Sequence, residues 1–97
     1  MDIPLLNLHS IALDYDNYES RKVDHTVIND YIIDTAYCSD YGYETAIWKN
    51  DSDDMAIVGR YADDKSEAIE GHNKWVEFCK RNPSKVWNIQ TDEYFEF

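Results

Sequence analysis

From residue 31 to residue 61 the chain falls into three short runs rich in β-branched and aromatic side chains, separated by polar turn formers. From residue 64 onward the spacing of apolar positions changes to that of a helix. Residues 31–38 make the first run, Ser39-Asp40-Tyr41-Gly42 reads as a turn, and 43–49 alternates again, which predicts a hairpin. A second polar turn over 50–54 leads into a third run over 55–61, extending the hairpin to a meander spanning 30–61. In residues 64–81, Ala68, His72, Trp75, Val76 and Cys79 share one helical stripe, whereas Glu70, Lys74, Glu77 and Arg81 lie largely off it. Asp63 or Asp64 can cap the start by accepting from an early amide, and Glu67 sits in the first turn. Lys80 and Arg81 suit the negative end of the dipole, and Asn82-Pro83 stops the helix. The predicted fold class is α+β, an antiparallel three- to four-stranded meander with one main helix packed on one face.

Two stretches admit more than one reading. Val27, Ile28, Tyr31, Ile32 and Ala36 also fit a helical stripe, so the first strand either begins late or follows a helical turn. Residues 86–97 read as a C-terminal strand or tail. As a strand they add a fourth member to the sheet, with Trp87, Ile89 and Thr91 on one side and Asn88, Gln90 and Asp92 on the other. Residues 1–25 carry little readable pattern. The 97 residues suit a single domain over 1–97 with one core, and 43% apolar and 14% aromatic content is enough to fold it despite 30% charged residues. The opening Ile3, Leu5, Leu6 and Leu8 lacks the basic flank and length of a signal peptide or membrane span, so a cytoplasmic location and no membrane partner are expected. In that compartment Cys38 and Cys79, far apart in sequence, are expected to be reduced and packed.

Charge changes the picture most. The net charge is −11, and residues 1–54 hold twelve acids against three bases, a net −9, leaving −2 for residues 55–97. Such a chain repels nucleic acid and anionic membrane and is drawn to basic surfaces. The three histidines, His9, His25 and His72, are scattered, and no serine sits in a nucleophile motif, so the expectation is no enzyme and no catalytic residue. The acidic stretches at 14–19 and 50–54 lack the glycine and distal glutamate of a calcium loop, and no glycine-rich phosphate loop occurs, so neither metal nor cofactor is expected. The remaining pattern is carboxylates interleaved with tyrosines: Asp14, Tyr15, Asp16, Tyr18 and Glu19, then Asp30, Asp34, Asp40, Tyr41 and Glu44. Tyrosine supplies contact area at low entropy cost and carboxylates steer and pair with Arg or Lys, which suits a partner-binding surface. Duplex DNA carries one charge per ~1.7 Å, so eleven charges match about 19 Å of duplex, the scale of one side of a small domain.

The runs Ile33-Asp34-Thr35-Ala36-Tyr37 and Asp40-Tyr41-Gly42-Tyr43-Glu44-Thr45-Ala46-Ile47-Trp48 resemble short proteins encoded by phages and prophages of low-GC Gram-positive bacteria. Arg60-Tyr61, Glu67-Ala68-Ile69-Glu70-Gly71-His72 and Trp75-Val76 extend the likeness, which covers roughly residues 30–80. The resemblance implies a phage product acting in the host bacterial cytoplasm and, with small size and acidity, is similar to the anti-CRISPR class. The expected function is an acidic DNA mimic, monomer or dimer, that blocks the nucleic-acid or PAM-binding channel of a Cas effector, Cas9-type favoured, without itself touching nucleic acid. The alternative is a phage structural or host-takeover adaptor that binds a protein through the aromatic tail Trp87, Tyr94, Phe95 and Phe97.

Overall fold

The computed structural model describes residues 22–97, and the chain folds there as an α+β unit. The elements are β1 (Lys22–Ile28), β2 (Tyr31–Cys38), β3 (Gly42–Lys49), β4 (Ala56–Arg60), α1 (Lys65–Cys79), β5 (Lys85–Asn88) and β6 (Glu93–Glu96). The first four strands form an antiparallel meander in sequence order, and β5 and β6 pair as a separate two-stranded ribbon. Among the described residues no helix is long and apolar enough to cross a membrane.

Local chemistry explains each connection. Asn29 and Asp30 both have positive φ, 48° and 72°, and link β1 to β2 in two residues, the backbone of the mirror-image turn that matches strand twist. The segment that also fits a helical stripe is therefore two strands and a turn. The fourth strand of the meander is β1, not the C-terminal tail. Asn88 ends the tail's first strand: its Oδ1 accepts from Gln90 N at 3.0 Å and from Ile57 N at 3.3 Å, and Asp92, with φ 62°, turns the chain back into β6. Asn88 thus also ties the ribbon to β4, helped by Ile89 N donating to Ile57 O at 2.9 Å. Asp64 caps α1 by accepting from Glu67 N at 3.0 Å. The helix ends at Cys79, two residues short of the predicted limit, because Asn82 takes the left-handed conformation ahead of Pro83.

Strands β2, β3 and the start of β4 are buried on both faces, whereas β1 is half-buried to exposed. Toward α1, Tyr31, Ile33, Ile47, Ala56, Val58 and Cys79 join Val86 of the ribbon in the main core, with Trp75, Val76, Phe95 and Phe97 packed against it. On the opposite face Ala46, Trp48 and Ile57 form a second cluster with Ile32 and Met55. Helix and sheet meet through a chain of polar groups rather than through apolar contact alone. Thr26 Oγ1 lies 2.8 Å from His72 Nε2, His72 Nδ1 lies 2.7 Å from Thr35 Oγ1, Thr35 reaches Thr45 Oγ1 at 2.6 Å, and Thr45 reaches the Tyr61 hydroxyl at 3.0 Å. The Trp75 indole N–H is a further donor to Tyr61. Because an indole can only donate, Tyr61 is free to donate to Thr45, Thr45 to Thr35, and Thr35 to His72 Nδ1, a relay compatible with the imidazole proton on Nε2. The Asp24 carboxylate 3.8 Å from Nε2 favours the same tautomer. Gly71 lets the helix sit this close, since a Cβ there would lie 2.3 Å from the Tyr61 hydroxyl.

Burial holds the His72 pKa below its ordinary value, an effect partly offset by Asp24 and Asp34 and reinforced by His25. With the folded pKa below the unfolded one, the stabilisation from neutral His72 is complete above the unfolded pKa of about 6.5 and is lost as pH falls through the folded value. Urea denaturation at pH 7.5 should show His72→Gln less stable than wild type by about 1–3 kcal/mol, the range for an unmade buried hydrogen bond. The gap should narrow as pH falls below 6.5; a gap constant from pH 7.5 to pH 5 contradicts the assignment.

Candidate functional site

The turn between β2 and β3 and the link between β4 and α1 are bound to each other at one end of the sheet. Tyr43 N donates to Ala62 O at 2.7 Å, Tyr61 N donates to Tyr43 O at 2.9 Å, and Asp64 N donates to Tyr61 O at 3.0 Å. The approach is close enough that Gly42, at φ 78°, has no room for a side chain: a Cβ would lie 2.2 Å from Ala62 O. Ala62 itself is held at φ 53°, a left-handed conformation that costs a non-glycine residue about 1–2 kcal/mol.

Between the two segments lies an open cleft of about 330 Å³, walled by Tyr37 and Tyr41 and edged by Asp40 and Asp63. The Tyr37 hydroxyl donates to Asp63 Oδ1 at 3.1 Å, and the Tyr37 and Tyr43 rings meet edge to face at 5.0 Å. Tyr41 is 52% exposed, and the Arg60 guanidinium stacks on its ring at 3.9 Å while donating from Nε to Glu44 Oε2 at 3.2 Å. Asp64 and Glu67, in the cap and first turn of α1, extend the acidic rim.

The residues that the sequence grouped as one surface are separated by the fold. Asp14, Tyr15, Asp16, Tyr18 and Glu19 lie outside the described residues. Asp40 and Tyr41 are at the cleft, whereas Asp30 is exposed in the β1–β2 turn at the other end of β2, eight residues or about 26 Å away. There Asn50 N donates to Asp30 O at 2.7 Å, bringing Asp30 beside the acidic turn of Asp51, Asp53 and Asp54. Asp34 and Glu44 are buried, Asp34 hydrogen-bonded to His25 Nδ1 at 2.8 Å and Glu44 paired with Arg60, so both carboxylates are engaged within the chain. Tyr37 and Asp63 also line the cleft and Arg60 lies beside it over Tyr41; in the sequence they stood out only within the resemblance or as a helix cap, not as binding residues. Arg60 and Glu44 face each other across β3 and β4, and Tyr37 and Tyr43 across β2 and β3, pairings that become visible only with the strand register.

The reactive groups of the described residues are engaged in packing. Both cysteines are buried, and burial pushes the Cys79 thiol up to about 11, away from thiolate chemistry near neutral pH. Among the described residues no group of three or more His, Cys, Asp or Glu is placed to hold a metal ion. The cleft is lined by two tyrosine rings and two carboxylates, with the Arg60 guanidinium alongside over Tyr41. No family model matches the chain, and neither a curated protein nor a solved structure is significantly similar to it.

The Gly42–Ala62 contact sets the cleft's shape. Gly42→Ala should cost about 2–5 kcal/mol, combining left-handed strain with a backbone clash. Ala62→Gly should stay within about 1 kcal/mol of wild type, because relief of strain and the greater freedom of the unfolded chain oppose each other. Thermal denaturation of the two variants checks the contrast, and equal effects contradict it.

Proposed function

We propose that the protein is an acidic binding module that occupies a basic nucleic-acid-binding surface on a host protein, acting as a phage-encoded anti-defence inhibitor. The partner class that best fits is the DNA or PAM channel of a Cas-type effector, whose arginines read guanines. The observation that carries the reading is the distribution of exposed carboxylates. Asp40, Asp63, Asp64 and Glu67 stand at one end of the meander and Asp30, Asp51, Asp53 and Asp54 at the other, about one strand length apart, on a chain of net charge −11. Two acidic ends joined by a rigid sheet present fixed negative charge at separated points, which is what a surface built to track a phosphate backbone recognises. The resemblance to phage and prophage proteins supplies the setting.

Association with such an effector should weaken steeply as salt rises and should be competed by target DNA. Double charge reversal at Asp40 and Asp63, and separately at Asp51 and Asp53, should each weaken binding at least tenfold with stability within about 1 kcal/mol of wild type. Affinity unchanged by salt, by DNA and by both reversals counts decisively against the proposal.

A second reading has an observation of its own. On the β5–β6 ribbon Trp87 and Tyr94 are cross-strand partners, 43% and 58% exposed, with rings edge to face at 5.0 Å, and neighbouring Ile89 is 37% exposed. Phe95 and Phe97 instead pack on the main core, Phe97 edge to face with Tyr31 at 5.0 Å. Half of the aromatic tail is thus structural, and an adaptor role would rest on Trp87 and Tyr94. Replacing both by Ala should leave the fold intact and leave effector binding within twofold under the inhibitor reading, whereas loss of partner capture by this variant alone selects the adaptor. Deleting 86–97 removes core side chains and should unfold the domain under either reading.

A further inference from the structure

We propose that residues 3–13 of this same chain are the layer that closes the second face of the meander, the face turned away from α1.

A sheet whose strands are apolar on both sides needs a layer on each. Here α1 packs across β1, β2 and β3 from one side, where Val86, Phe95 and Phe97 of the ribbon join the main core. Strand alternation puts Ile32, Asp34, Ala36 and Cys38 of β2 on the other side, together with Glu44, Ala46 and Trp48 of β3. Among the described residues, the apolar cluster there consists only of sheet residues and Met55 from the turn before β4. Trp48 is nevertheless only 4% exposed and Cys38 1%, while Ala36 and Ala46 are fully buried. The neighbours Ile32, Ala46 and Ile57 are no larger than the indole and cannot close over it, so a further layer lies on this face. Asp34, Cys38 and Glu44 on this face, and Lys22 at the start of β1, each carry at least one further polar or ring contact.

Two observations identify the occupant. Residues 3–13 are the longest uncharged stretch of a chain that is 30% charged, and seven of those eleven positions are Ile, Leu or Ala. Their attachment is at the face itself: the chain joins the sheet at Lys22, the partner of Ala36, and the nine residues from Leu13 to Lys22 reach up to about 30 Å, more than the length of β2. A segment tethered so closely meets its seat at an effective concentration in the millimolar range, whereas a second copy, also of net charge −11, is repelled. The attachment also decides where the acid and tyrosine run of residues 14–19 emerges. Glu19 is three residues from Lys22, which keeps it within about 11 Å of the end of the sheet that carries Asp40 and Asp63.

The test uses the two buried thiols of the full-length chain as reporters, Cys38 under the proposed layer and Cys79 in the main core. In the wild-type protein both should react slowly with a thiol-specific aromatic disulfide, at rates unchanged over a hundredfold range of protein concentration. The combined substitution Leu5→Asn, Leu6→Asn, Leu8→Asn and Leu13→Asn should speed the reaction of Cys38 at least tenfold and leave that of Cys79 within twofold. Nuclear Overhauser contacts from the methyl groups of residues 3–13 to the Trp48 indole should be present in the wild-type protein. A Cys38 that reacts freely in the isolated wild-type protein shows a face waiting for a foreign partner, and protection that grows with protein concentration shows a second copy; either overturns the proposal. Where the variant exposes both thiols by unfolding, the wild-type methyl–indole contacts decide, their presence supporting the layer and their absence removing it.

Discussion

The fold turns on a neutral imidazole. His72 is essentially fully buried between helix and sheet, and it is accommodated there because both ring nitrogens have hydroxyl partners, Thr26 on β1 and Thr35 on β2. A charged imidazole at this position would lose more to burial than Asp24 and Asp34 return, and a histidine with one nitrogen unpaired would cost about 1–3 kcal/mol. The same contact fixes the helix at one height and rotation over the sheet, because Thr35, Thr45 and Tyr61 form one directional chain that leaves Gly71 against the Tyr61 ring. Apolar packing of Ile33, Ile47 and Val58 supplies the larger share of the burial but would tolerate a slide of the helix; the polar chain does not.

What the sequence made legible follows from how local each signal is. The helix carried its own boundaries in Asp64, Glu67 and Asn82-Pro83, and the β2–β3 hairpin carried its own turn. The β1–β2 hairpin was harder because Val27, Ile28, Tyr31, Ile32 and Ala36 satisfy a helical period, and the residues that decide against it, Asn29 and Asp30, do so by adopting positive φ. The tail misled for a related reason. Asn88 reads as an ordinary polar position in an alternating strand, yet its side chain bonds two backbone amides and closes the strand after four residues.

The site was legible only in part, for a reason that concerns burial rather than motif. In sequence Asp34 and Glu44 look like Asp40; in the fold, strand pairing sets His25 opposite Asp34 and Arg60 opposite Glu44, and those two carboxylates become internal. Pairings across nine and sixteen residues leave no trace in composition. Among the described residues the acids thus divide into a buried share, Asp34 and Glu44, bonded within the chain on the second face of the sheet, and an exposed share, half or more of it at the two ends of the meander and the rest on β1, α1 and the ribbon. Only the second can act on a partner.

The geometry of the His72 contact also orders the folding reaction. Every pairing within the meander joins neighbours in sequence through short turns, so the four strands can assemble with little loop-closure entropy. The Thr26–His72 contact spans 46 residues and requires both the finished hairpin and the finished helix. Assembly from local pairings first makes it a contact of the late docking of α1, and the expectation is that it forms after the folding barrier. Disturbing it should leave the folding rate nearly unchanged and speed unfolding, which makes this one hydrogen bond a control on how long the native state persists rather than on how quickly it is reached.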